Sequence, residues 1–95
     1  MTVDEFKESV SQAAPPAGLS LALQAMWYDA KGDWDAAHRA AQAQEDRTGA
    51  WVHAYLHRVE GDPGNAAYWY RRAGRPVSQQ ALPEEWDSIV AELLA

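Results

Sequence analysis

The dipeptide Gly-Asp occurs twice, 29 residues apart, and each copy stands between two stretches with helical spacing of apolar residues. Gly32 and Gly61 fit the left-handed residue that ends a helix, and Asp33 and Asp62 fit the N-cap of the next helix. Pro63 suits a first helical position, where its missing N–H costs nothing. In each copy a small residue early in the second helix lets the two backbones approach closely. The repeat therefore predicts two antiparallel helical hairpins.

Helical patterns extend to both ends of the chain. Thr2 and Glu5 fit a capping box that begins a helix over about residues 3–14, which Pro15 and Pro16 end. Further helices are predicted at about 19–31, 34–46, 48–60, 63–73 and 83–94. The chain contains 19 alanines, one isoleucine and no strand-like run of β-branched residues. We therefore expect an all-α fold of five to six helices.

The two hairpins resemble tetratricopeptide and Sel1-like repeats. Leu21, Ala25 and Tyr28 partly match the tetratricopeptide pattern of a large, a small and an aromatic residue. The stretch "KGDWDAAHRAAQ" resembles the turn and second helix of that repeat, and "NAAYWYRRAGR" resembles the second helix of a Sel1-like repeat. The resemblance covers about residues 19–75. It implies antiparallel hairpins stacked in a tetratricopeptide-like right-handed array with a peptide-binding surface. The whole chain also resembles short bacterial proteins.

The chain length of 95 residues suits one domain. Repeat units cannot bury their faces alone, so the terminal helices are expected to cap the hairpins unless a partner or second copy covers them. The predicted parts are an N-terminal capping helix at 1–16, hairpin 1 at 19–46, hairpin 2 at 48–75 and a C-terminal capping helix at 82–95.

Composition narrows the classes of function. The chain has no cysteine, which excludes disulfides and thiolate metal sites. Its N-terminus is acidic and polar, without the pattern of a secretory signal, and no apolar run has the length of a membrane span. The net charge of −6 disfavours nucleic acid and anionic membranes as partners. We expect a cytoplasmic protein without a cofactor.

Charge is unevenly distributed along the chain. Residues 47–76 contain five arginines and two carboxylates, a net charge of +3, whereas the rest of the chain carries −9. Helical spacing places aromatic residues beside these arginines, and Tyr, Trp and Arg are enriched at protein-binding hot spots. We call this set the aromatic/arginine surface of hairpin 2; it consists of Trp51, Tyr55, Arg58, Tyr68, Arg71, Arg72 and Arg75. The competing interpretation is that the aromatic residues are core and the arginines extend over them.

Two histidines share one face of the predicted fourth helix. His53 and His57 stand at i and i+4, with Glu60 three residues further on, a spacing that can present metal ligands. There is no HExxH motif, and His38 is the one other histidine. We therefore expect structural histidines and no metal, with a metal site as the alternative.

Two further patterns indicate neither a phosphate-binding loop nor a catalytic site. "GDPGN" lacks the lysine and the hydroxyl residue of a phosphate-binding loop, so it is interpreted as a turn. Asp29, Asp33 and Asp35 cluster around the first turn but show no sign of a pocket, so no catalytic residue is predicted. The sequence thus favours a non-catalytic protein–protein interaction module that binds a protein or peptide, with an acidic segment as the expected ligand. The alternatives are a homodimeric structural protein and a histidine-based metal protein or enzyme.

Overall fold

The computed structural model describes all 95 residues and contains six α-helices and no strand. The helices are α1 (Val3–Ser9), α2 (Leu21–Lys31), α3 (Trp34–Ala43), α4 (Arg47–Glu60), α5 (Pro63–Ala73) and α6 (Leu82–Leu94). The predicted all-α fold of five to six helices is confirmed. None of the six helices is both long enough and apolar enough to cross a membrane.

Both copies of the Gly-Asp turn have the same geometry. Gly32 and Gly61 adopt φ angles of 88° and 85°, the left-handed conformation in which a side chain would be strained. The carboxylates of Asp33 and Asp62 each accept a hydrogen bond, 3.1 Å long, from the backbone N–H three residues later. The turn residues therefore end one helix and begin the next, as the sequence predicts.

The first helix is shorter than its predicted range of about residues 3–14. It begins with the expected capping box of Thr2 and Glu5 but ends at Ser9. Lys31 of α2 donates hydrogen bonds from Nζ to the backbone carbonyls of Val10, at 2.6 Å, and Gln12, at 2.7 Å. These carbonyls are satisfied by α2 rather than by a further helical turn, which explains the early end.

The helices pack as two hairpins and a covering pair. Hairpin partners are α2 with α3 and α4 with α5, and the hairpins meet through α4, which contacts both α2 and α3. The last helix, α6, packs against α2 and α4, and α1 packs against α6. Twenty buried hydrophobic residues from these elements form one continuous core. The all-α architecture is therefore established, and its stacking as a tetratricopeptide-like right-handed array stays a prediction.

Trp86 of α6 connects the covering pair to the first hairpin. Its indole Nε1–H donates a hydrogen bond to the backbone carbonyl of Met26 in α2 at 3.2 Å. Its ring also packs against Phe6 of α1, with ring centroids 5.8 Å apart. Because all three residues are buried, α1, α2 and α6 share one interior.

A close backbone approach fixes the connection between the hairpins. At Gly49 in the first turn of α4, an added Cβ would lie 1.8 Å from the backbone carbonyl oxygen of Gln44. The side-chain oxygen of Gln44 accepts a hydrogen bond from the backbone N–H of Ala22 at 2.7 Å. The turn between α3 and α4 is therefore tied both to α4 and to the start of α2.

Candidate functional site

The seven residues of the aromatic/arginine surface do not form one open surface. Trp51 and Tyr55 are buried, and Arg58 and Arg75 are paired with carboxylates of α6. The part that remains open lies on α5 and consists of Tyr68, Arg71 and Arg72. The buried, the ion-paired and the open residues each make different contacts.

Trp51 lies beneath Arg75, which follows the end of α5. Its side chain is only 7% exposed, and the guanidinium carbon of Arg75 lies 3.4 Å from its ring centroid. Arg75 in turn forms an ion pair with Glu92 of α6. The cation–π contact and the ion pair close the C-terminal helix over Trp51.

Arg58 belongs to a buried hydrogen-bond network. Glu85 of α6 is 2% exposed and accepts hydrogen bonds from the Arg58 guanidinium and from the Tyr70 hydroxyl. Arg58 also donates to the backbone carbonyl of Gln80 at 2.8 Å. Burial, followed by the hydrogen bond to Glu85, raises the pKa of Tyr70, so its hydroxyl keeps its proton as the donor. Arg58 therefore neutralises a buried carboxylate and is not free for a partner.

Tyr55 lies on a different side of α4, facing α2. Its side chain is 4% exposed, and its hydroxyl donates a long hydrogen bond of 3.4 Å to the carboxylate of Asp29. Burial raises the pKa of Asp29, and burial together with the nearby Asp29 carboxylate raises the pKa of Tyr55. The pair lines a cleft of about 420 Å³ beside Trp86.

The open part of the surface is a single turn of α5. Tyr68 is 43% exposed, and Arg71 and Arg72 follow it at i+3 and i+4 on the same side of the helix. The Arg72 guanidinium donates to the Tyr68 hydroxyl at 3.1 Å and lies over the Trp69 ring, 5.1 Å from its centroid. Arg71 is exposed and makes no hydrogen bond or ion pair. This turn therefore presents two cations beside aromatic rings.

A cleft of about 560 Å³ adjoins this turn. It separates α5 from the segment that joins α3 to α4, and its lining includes Trp69, Arg72, His53 and Arg47. Glu45 also lines the cleft. Neither Arg47 nor Arg72 has a carboxylate within 4.0 Å, unlike Arg58 and Arg75. Together with Arg71, they are the unpaired cations of the basic stretch.

A histidine cluster lies between α3 and α4. The ring of His38 stands 4.6 Å from that of His53 and 5.5 Å from that of His57, measured between centroids. Trp34 stacks on His38 at 4.9 Å, and Trp69 stacks on His53 at 3.9 Å. Neither His38 nor Trp34 was predicted to lie at a functional site. Their i, i+4 spacing, repeated by the histidines of the next helix, is the signal that could have placed them.

Burial and neighbouring histidines lower the pKa of two members of the cluster, His38 and His53. Burial, followed by the neighbouring histidines, lowers the pKa of His53 to about 4. Burial also lowers the pKa of His38, followed by an effect of His57. Both imidazoles are therefore neutral near pH 7, the form in which histidine binds metal ions.

Comparison with protein-family models, curated proteins and solved structures found no match to this chain. The site is therefore interpreted from its own geometry.

Proposed function

We propose that this chain is a non-catalytic protein–protein interaction module that binds an acidic protein segment. The binding surface is the open turn of α5, with Tyr68, Arg71 and Arg72, together with the adjoining cleft. The observation that carries the proposal is the set of three arginines without carboxylate partners, Arg47, Arg71 and Arg72, around that turn and cleft.

Charge supports the choice of an acidic partner. Unpaired guanidinium groups bind carboxylates with paired hydrogen bonds, and they do so in a chain whose other residues are strongly acidic. A partner with the opposite charge is attracted to this region and repelled by the rest of the molecule. The exposed Tyr68 ring and the edge of Trp69 supply apolar contact area beside the charges.

The buried or ion-paired members of the predicted surface have a supporting role in this proposal. Arg58 and Arg75 form ion pairs with α6, Trp51 lies under Arg75, and Tyr55 contacts Asp29 of α2. Changing them would therefore test folding and not binding. A binding experiment is therefore confined to residues of the open turn and to Arg47.

The homodimeric alternative has no comparable observation in its favour. The large apolar side chains that are exposed lie on four separate segments of the chain: Met1, Leu21, Tyr68 and Val77. The interaction module is therefore the better supported proposal.

Selection of random peptides displayed on phage, with the purified chain as bait, tests the proposal. We expect the recovered peptides to be enriched in Asp and Glu, and a synthetic copy to bind in a fluorescence-anisotropy titration. Changing both Arg71 and Arg72 to Glu should weaken binding of that peptide by about 100-fold or more, since each charged contact contributes about 1.5–3 kcal/mol.

Arg39→Glu is the matched control, because it reverses the charge of an exposed arginine on α3. It should leave the affinity within about threefold of the original, apart from the general change in net charge. Peptides without an acidic bias, or equal losses in the α5 double variant and in Arg39→Glu, would reject the proposed surface.

A further inference from the structure

The three histidines of the cluster come from two helices. His38 lies on α3, and His53 and His57 lie one turn apart on α4. One ring nitrogen from each lies within 4.8 Å of the others. These are all the histidines of a chain that has no cysteine. We infer that the three imidazoles form a binding site for a divalent transition-metal ion, with Zn²⁺ as the ion that their chemistry and number fit.

The spacing of the ligands suits such an ion. Histidines at i and i+4 of one helix can ligate the same metal, and His38 supplies a third nitrogen from the neighbouring helix. Zinc–nitrogen bonds of about 2.0–2.1 Å in a tetrahedral site hold the ligand nitrogens about 3.3 Å apart. Metal binding therefore requires the nitrogens to approach by about 1.5 Å or less, through rotation of the three side chains.

Glu60 orients one of the ligands. Its carboxylate oxygen lies 2.6 Å from Nδ1 of His57, where it accepts the ring N–H. That hydrogen bond leaves Nε2 of His57 as the lone-pair nitrogen for the metal. A carboxylate that holds the far side of a ligating imidazole is the usual outer contact of zinc-bound histidines, and here its charge also offsets that of the ion.

The other two histidines have ring nitrogens without protein partners. His53 is 4% exposed, yet neither of its ring nitrogens forms a hydrogen bond to the protein, and the same holds for His38. No buried side-chain nitrogen of the chain lacks a partner, so these ring nitrogens reach solvent and are available to bind an ion. Stacking on Trp34 and Trp69 positions these two rings but does not satisfy their nitrogens.

The site has access to solvent. His53 lines the cleft of about 560 Å³ between α5 and the α3–α4 connection, so an ion can reach the cluster from there. Three protein nitrogens leave a fourth position for water on a tetrahedral ion.

Zinc binding by the full chain tests this inference. The protein is purified with an affinity tag that contains no histidine, stripped with a chelator, and titrated with Zn²⁺ by calorimetry and by thermal unfolding. We expect one ion per chain. A free Zn²⁺ concentration 100 times the Kd should raise the Tm by about 10 °C. Mg²⁺, which prefers oxygen ligands, should give neither heat nor a shift.

Variants locate the ion. His38→Gln should weaken Zn²⁺ binding by about 100-fold or more, because only the α4 pair remains. Glu60→Gln should weaken it by about 10- to 100-fold through the orientation of His57. Glu8→Gln is the control, since it removes the same charge at an exposed position on α1, away from the cluster and from the cleft. Circular dichroism checks that each variant retains its helices.

The inference is overturned if Zn²⁺ gives no saturable heat and no change in Tm, or if His38→Gln binds as tightly as the original chain. Should His38→Gln fail to fold, equal affinities of Glu60→Gln and Glu8→Gln would reject the site. Peptide binding is measured separately, with a chelator present. A failure of the zinc inference can then be distinguished from a failure of the proposed interaction surface.

Discussion

At the scale of single residues, Glu85 shows that a charged residue in the first turn of a helix can be buried and structural. Removing it by Glu85→Ala leaves Arg58 without its carboxylate and the Tyr70 hydroxyl without its acceptor. We expect a loss of about 3 kcal/mol in the free energy of unfolding, measured by urea denaturation, because breaking a buried ion pair leaves the partner charge uncompensated.

Glu84→Ala is the control for this change. Glu84 precedes Glu85 in the first turn of α6 but is exposed and makes no ion pair. Its loss should cost no more than about 0.5 kcal/mol. Similar losses in the two variants would show that helix-end electrostatics, and not the buried network, determine the effect.

The sequence predicts how these residues act within their own helix, but it does not predict their contacts with other helices. Glu85 suits the N-terminus of a helix by local electrostatics, but its partners Arg58 and Tyr70 lie 27 and 15 residues away. Arg58 was placed on an outward face because a helical wheel does not show which helix covers that face. His38 was treated as isolated for the same reason, since its neighbours lie on another helix.

At the scale of the helices, the connection between α3 and α4 depends on one glycine. Gly49→Ala would place a methyl carbon 1.8 Å from the Gln44 carbonyl oxygen, so the backbone must move. We expect a loss of about 2 kcal/mol or more in unfolding free energy, although alanine favours a helix over glycine by about 1 kcal/mol. Thermal and urea unfolding of the variant measure this loss.

Gly64→Ala is the comparison variant, because Gly64 lies in the first turn of α5 but has space for a side chain. The nearest atom to an added Cβ there is 3.9 Å away, which is an ordinary contact. This variant should gain about 0.4–1 kcal/mol, because alanine restricts the unfolded chain and suits the helix. If both alanines had the same effect, the close approach at Gly49 would not be a constraint on the fold.

Helix boundaries were predictable where the signal is local. Gly-Asp turns, Pro63 and the Thr2–Glu5 capping box act within a few residues, and each appears in the structure as expected. The end of α1 was not predictable, because Lys31 of α2 binds the carbonyls of Val10 and Gln12, which follow the helix. The open part of the aromatic/arginine surface was predictable from helical spacing, whereas its separation from Trp51 and Tyr55 depends on where α2 and α6 pack.

At the scale of the whole molecule, the continuous core predicts one cooperative unfolding transition. Tryptophan fluorescence and far-ultraviolet circular dichroism should give the same urea midpoint. Trp86→Ala should lower the unfolding free energy by about 3–5 kcal/mol by both probes, because Trp86 contacts α1 and α2 from α6. Tyr68→Ala, at an exposed position, should change it by no more than about 0.5 kcal/mol.

A separable array of hairpins predicts instead that the probes diverge, with Trp86→Ala unfolding one part while the other persists. Divergent midpoints would therefore favour independent repeat units over a single core closed by the terminal helices.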